Sequence, residues 1–456
     1  IKIDGSNLTI TGPKGTKTLT INDKIFSSKL NENEFQLLPL EKKIDKKTSI
    51  MWGTYRSLIN NAVTGVSAGL RSNAALFLVN EGVAYTGPYS LNGTQTSMTY
   101  GFTDVGGDFT IQGVSSDGLP YSDVYFEFDL SGFTYDQWMY GFSNNSTFTG
   151  NGILFKNLIW KDADYDTNSH PERIFYSSYD DNFSASTFVN CKFLDNTVGN
   201  TLVGFGNYAA LYKYQDCIIS GNNSVNTTNK GLFSAGNYSI ASIRQPTMHA
   251  DHCIFTNNQT TASSSPYMVT AQGIQRGGCY ISNSVFYNNG YDANFKTVFI
   301  WGQTEDMKDM VYNCIFFNNE GTAVTIDGAQ QTDSDYANYI YGRKIFNCVF
   351  AYNNKAITSG EGDEPIKMTA FYNNLFYSNT SEDIPTWLSG GTYASGWGPN
   401  YTEDPDFTNG YSGDFSAPDT SPVWTKSPDV GTPLGGPFVT LKSSGTATLP
   451  TIVSFF

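Results

Sequence analysis

The residue types that could do chemistry in this chain are acidic and aromatic, and they fall in loops. GQTEDMKD (302–309), GAQQTDSDYANYIYG (328–342) and SGEGDEPIK (359–367) hold Glu305, Asp306, Asp333, Asp335, Glu361, Asp363 and Glu364. Trp301, Tyr336, Tyr339 and Tyr341 lie among them. Carboxylates accept hydrogen bonds from hydroxyls, and flat rings stack on pyranose faces. If the loops stack, this mixture suits recognition of a glycan; the alternative is a hydrophilic, variable loop edge with no ligand.

A second acidic pattern is DADYDTN at 162–168, which alternates Asp162, Asp164 and Asp166. Oxygens so spaced resemble the first half of a loop around Ca²⁺. The sixth position has no glycine and the twelfth is Arg173 rather than Glu, so a solvated acidic loop competes with that reading. Ca²⁺ is the only cofactor suggested. Of the three histidines, His170, His249 and His252, the last falls in a repeated asparagine slot and reads as a turn residue. Asp180–Asp181 is the single Asp-Asp pair. No carboxylate–histidine constellation is legible, so no residue is assigned a catalytic role and the reading leans away from an enzyme.

What would position these loops is written in a short phrase. NCKFLDN begins at 190, DCIISGNN at 216, HCIFTNN at 252, NSVFYNN at 283, NCIFFNN at 313, NCVFAYNN at 347 and NNLFYSN at 373, with a weaker copy, NLIWKDAD, at 157. The steps of 26 to 36 residues indicate a solenoid whose loops absorb the variation. Within each copy, alternate residues share a face, which is strand periodicity. Helical repeats would need apolar residues at i, i+3, i+4 and i+7. The expected fold is all-β: a parallel β-helix of ~30-residue turns. Cys191, Cys217, Cys253, Cys314 and Cys348 then form an inward column, with Ser284 and Asn374 in the same slot. Phe193, Phe255, Phe286, Phe316, Phe350 and Phe376 form an aromatic stack beside it. The asparagine after the strand should turn the backbone and bond along the stack. Six cysteines in 456 residues are too few for a disulfide framework, so they read as reduced packing residues.

Three segments are expected: a small β-rich element at 1–48, the β-helix at 49–440, and a terminal strand or cap at 441–456. Leu58, Ile59, Ala62 and Val63 share one face of a short helix within 53–90, placed to cap the open end of the stack. The chain has 27 basic and 42 acidic residues, a net charge of −15. Residues 1–48 hold nine Lys against six Asp/Glu, leaving 18 basic and 36 acidic residues for the rest. So acidic a body argues against a nucleic-acid partner. No run of about 18 apolar residues exists, so no membrane insertion is expected. The opening residues do not read as a charged-then-apolar leader, which leaves open whether one was removed. Eleven Asn-x-Ser/Thr sequons, including those at Asn222, Asn258 and Asn379, lean slightly towards a secreted glycoprotein.

TYRSLINNAVTG at 54–65, FLVNEGVAYTG at 77–87, DFTIQGVSSDG at 108–118, the NCxFxxNN copies and DPDFTNGYSGDFSAPDTSPVWTKSPDVG at 404–431 together resemble the pectin-lyase-like β-helix superfamily. More narrowly they resemble the adhesin-like surface proteins of methanogenic archaea. The resemblance implies a right-handed β-helix. It also implies an extracellular or cell-surface, non-catalytic adhesin, a monomer that binds glycans or a cell-surface receptor. Two alternatives stay open. One is a homotrimeric viral or phage-like tail fibre or tailspike on a virion, which binds surface polysaccharide with or without cleaving it. The other is a secreted polysaccharide lyase or glycoside hydrolase, which would need paired carboxylates on adjacent turns.

Overall fold

The computed structural model describes residues 2–4, 7–12, 15–20, 75–80, 109–114, 125–130, 137–140, 153–165, 172–177, 184–205, 210–225, 231–237, 247–261, 267–273, 278–302, 309–327, 343–359, 369–381, 398–428 and 431–442. Within these residues the protein is nearly all β, built from parallel strands in stacked sheets, a β-solenoid. Three long sheets of eight, nine and ten strands run along it. At the start, Lys2–Asp4, Asn7–Gly12 and Gly15–Thr20 form a separate antiparallel sheet. Of the segment expected to carry a capping helix, only the strand Ala75–Asn80 is described; the helix itself lies outside the described residues. So does the terminal strand expected at 441–456, beyond residue 442.

The repeated phrase builds the nine-stranded sheet. Lys192 pairs with Ile218, Ile218 with Ile254, Ile254 with Val285, Val285 with Ile315, Ile315 with Val349 and Val349 with Leu375. Because register is kept, each motif position sits above itself. Phe255, Phe286, Phe316, Phe350 and Phe376 stack with ring centroids 4.5, 4.8, 5.0 and 5.1 Å apart and nearly parallel planes. Those spacings are close to the strand separation, so the sheet itself sets the ring stack. Ile219 interrupts the column between Phe193 and Phe255.

The cysteine column is present, fully buried and without disulfides. Its slot asks for more than small size. The thiols of Cys191, Cys217, Cys253, Cys314 and Cys348 each donate to the carbonyl two residues back, at 3.4, 3.3, 3.3, 3.1 and 3.2 Å. Ser284 donates likewise to Ser282, at 2.6 Å. Cys, Ser and Asn are small residues with a side-chain donor, which explains why these types share the slot. Burial pushes the Cys191, Cys253 and Cys314 thiols well above their ordinary range. Cys279 is buried in the ten-stranded sheet, paired with Met248 and outside the column.

Turning and bonding, expected of one asparagine, do coincide, since Asn190 donates to Asn157, Asn313 to Asn283 and Asn318 to Asn288 over 2.8–3.1 Å, but a further asparagine position bonds without turning. Asn157, Asn190, Asn283, Asn313, Asn347 and Asn373 adopt φ between 48 and 55°, and His252 fills the same slot at 53°. Asn enters this left-handed region at low cost. A second left-handed position follows the strand: Asp162, Asp195, Gly221, Asn257, Asn288, Asn318, Tyr352 and Ser378. From Asp195 onward the residue after it forms a ladder, buried except at its Asn379 end. Asn196, Asn222, Asn258, Asn289, Asn319, Asn353 and Asn379 are linked in order, each donating an amide N–H to the side-chain oxygen of the next, over 2.7–3.0 Å. Three sequons therefore fall on ladder residues: Asn222 and Asn258 are fully buried, and Asn379, at the end of the ladder, is half-buried.

The other face of the nine-stranded sheet is covered by a later segment of the same polypeptide. Val285, Ile315, Phe317, Val349, Ala351 and Leu375 form a second apolar cluster with Phe415, Ala417, Val423, Leu434 and Val439. Gly410 lies where an added Cβ would come within 2.6 Å of the Phe317 ring. The closing phrase at 404–431 is thus a strap laid across several turns.

Candidate functional site

The stacked-loop residues Glu305, Asp306, Asp333, Asp335, Tyr336, Tyr339, Glu361, Asp363 and Glu364 lie outside the described residues. Trp301 is in the strand Lys296–Gly302, paired between Gln272 and Asp327. Asp162 and Asp164 are described, whereas Asp166 is not. Asp162 occupies the left-handed turn position after its strand, with φ 59°. Its N–H donates to the carbonyl of Leu194 at 3.2 Å, and Lys161 Nζ stands 3.4 Å from its carboxylate. Among the described residues no three His, Cys, Asp or Glu side chains are placed to hold a metal ion.

The polar cluster that the structure does assemble is on the ten-stranded sheet. Asp251 accepts hydrogen bonds from Ser282 Oγ at 2.6 Å and Asn283 Nδ2 at 2.8 Å, and its other oxygen is 3.0 Å from His252 Nδ1. Burial pushes the Asp251 carboxyl up, but hydrogen bonds from Ser282, Asn283 and His252 together hold it below the usual range. Ser282 donates to the aspartate rather than to the histidine. No histidine base therefore activates it as a nucleophile, and the cluster pins one turn to the next. Sequence spacing could not reveal it, because Asp251 and Ser282 meet only through strand pairing.

Beside it, Lys213, His249 and Tyr280 stand in one column of the sheet. The His249 and Tyr280 rings are 4.8 Å apart. Burial, and then the charge of Lys213, lowers the His249 pKa to about 4. The unfolded chain protonates near 6.5, so the fold favours neutral His249. Its stabilising contribution is complete above pH 6.5 and is lost as pH falls towards about 4. An NMR titration should place the His249 midpoint near 4, and His249→Gln should flatten the acid limb of a stability–pH curve between these values. Further along, Tyr312, Phe346 and Tyr372 stack with centroids 5.1 and 4.9 Å apart and planes within 10°. Their faces cover each other, so the middle ring offers only its edge to a ligand.

Comparison with known proteins points to the other end of the polypeptide. A model of the ribosomal protein L6 family matches residues 1–69. The large ribosomal subunit protein uL6 of Coprothermobacter proteolyticus is 37% identical over 103 residues, 23% of this chain and 52% of that protein. The uL6 proteins of Alteromonas mediterranea and Phenylobacterium zucineum are 33% and 30% identical over 103 residues, again 23% of this chain, and each is covered over 53% of its length. The chain spans about half the length of the curated relatives it matches.

These matches correct the functional reading of the sequence. The recognisable family similarity is to ribosomal protein L6, which overturns the pectin-lyase-like and adhesin-like resemblance. TYRSLINNAVTG, quoted for that resemblance, lies within the matched residues 1–69. The adhesin, the tail fibre and the secreted enzyme fall with it. So do the glycan or cell-surface partner, the extracellular or virion location, and the exclusion of nucleic acid. The exclusion failed for a physical reason: it averaged charge over the whole sequence. Screening limits exposed charges to about 8 Å at physiological salt, so a local lysine excess acts by itself.

Proposed function

We propose that this protein associates with the large ribosomal subunit through its N-terminal segment and carries the β-solenoid as a rigid appended body. The similarity to uL6 proteins over 103 residues carries this reading. The local charge supports it: nine Lys against six Asp/Glu in residues 1–48 suit a polyanionic RNA surface. The remaining residues, 18 basic against 36 acidic, would be repelled by phosphate, so the solenoid points away from the RNA. Finer features belong to the same reading. The solenoid winds right-handed, as parallel crossovers do. The acidic loops at 302–309, 328–342 and 359–367 would then meet a basic partner, while Asp162, Asp164 and Asp166 would take Ca²⁺ as a hard, oxygen-bound ion.

The test is sedimentation of the full-length protein with purified large subunits. Co-sedimentation at low salt is expected, with affinity falling steeply as salt rises, by about one logarithmic unit per logarithm of salt for each phosphate contact. Reversing Lys42, Lys43, Lys46 and Lys47 to Glu should remove most of it. A protein that stays unbound at the lowest salt would sink the proposal.

A further inference from the structure

The sequence contains four Asn-Gly pairs, beginning at Asn92, Asn151, Asn289 and Asn409, and two of them, at 289 and 409, are described. The two asparagine side chains have opposite surroundings, although Gly410 itself is buried. Asn289 is fully buried in the ladder. Its amide donates to the Phe255 carbonyl at 2.9 Å and to Asn319 Oδ1 at 3.0 Å, while its own oxygen accepts from Asn258. The N–H of Gly290 is held by the Asn258 carbonyl at 2.8 Å. Asn409 is exposed and its side chain makes no capping hydrogen bond. Glycine after it places no side chain in the way of an attack on its amide.

We propose that Asn409 is a site of spontaneous deamidation in the folded protein, and that the ladder protects Asn289 from the same reaction. The backbone nitrogen of Gly410 loses its proton and attacks the amide carbon of the Asn409 side group. A new bond forms between that nitrogen and that carbon. The bond from the same carbon to Nδ2 breaks, and ammonia leaves with the proton. Water then opens the five-membered imide at either carbonyl, giving aspartate or isoaspartate. At Asn289 this path is closed, because nucleophile and leaving group are both hydrogen-bonded and water is excluded. The isoaspartate product adds one carbon to the backbone of a tight turn. In that turn Asn409 and Asp414 exchange two hydrogen bonds of 3.1 Å. Gly410, the next residue, packs on Phe317. Modification would therefore loosen the strap over the nine-stranded sheet. This inference stands apart from the ribosomal reading.

The test incubates the full-length protein at mildly alkaline pH and maps peptides by mass, with isoaspartate distinguished by chromatography. Deamidation at Asn409 with none at Asn289 is expected, and a urea-unfolded sample should react at both. Asn409→Gln should abolish the signal at that position. An unmodified Asn409 in folded protein, alongside reaction in the unfolded sample, would overturn the proposal. Equal rates at the two sites in folded protein would overturn it as well.

Discussion

Asn319→Ala is expected to lower stability by about 3–5 kcal/mol, among the largest effects a single substitution can have here. Asn319 is 1% exposed and hydrogen-bonds to the turns on both sides of its own. Its oxygen accepts from the backbone and side-group N–H of Asn289 at 3.1 and 3.0 Å. Its amide donates to the Phe286 carbonyl at 3.0 Å and to Asn353 Oδ1 at 2.7 Å. Alanine leaves both the backbone N–H of Asn289 and the Phe286 carbonyl buried without these partners, and each such group costs about 1–3 kcal/mol. Neighbouring turns cannot close the gap, because their own strands fix their height. Urea denaturation followed by circular dichroism would measure it. A midpoint within error of the parent would show that the ladder is incidental to stability.

Phe316→Ala should cost a similar amount, about 3–5 kcal/mol, by a different mechanism. The ring is fully buried between Phe286 and Phe350, at 4.8 and 5.0 Å. Deleting it removes apolar burial and leaves a cavity in the middle of a column. The cavity cannot collapse, since residue 316 keeps strand pairing with Phe286 on one side and Phe350 on the other. Phe316→Leu should lose less than half as much, because shape is lost but most volume stays. The same denaturation series tests it, and a loss as large for leucine as for alanine would argue against a cavity mechanism. The two positions are three residues apart on one turn, so the double change should depart from additivity.

Much of the architecture was legible in the repeat alone. Parallel pairing in register turns a recurring sequence position into a spatial column, so spacing and alternation were enough to foresee the Cys191–Cys217–Cys253 and Phe286–Phe316–Phe350 stacks. The same logic did not reach the N-terminal segment. Residues 1–69 hold no copy of the repeated phrase, and their charge was submerged in an average dominated by the acidic solenoid. Family resemblance was drawn from motifs that specify turns and strands, and such motifs describe packing rather than partners.

By itself, then, the sequence determined the β-solenoid, its column residues and the burial of its thiols, because those follow from period-two alternation repeated at a fixed slot. Only the tertiary structure decided how the slots are used. It added a second, buried asparagine ladder beside the left-handed turn residues, gave the cysteine slot its donor role, joined Asp251 to Ser282 across turns, and laid the C-terminal strap over Val285, Ile315 and Val349. Each of these depends on groups brought together from different turns, and hydrogen-bond direction and burial exist only once the turns are stacked.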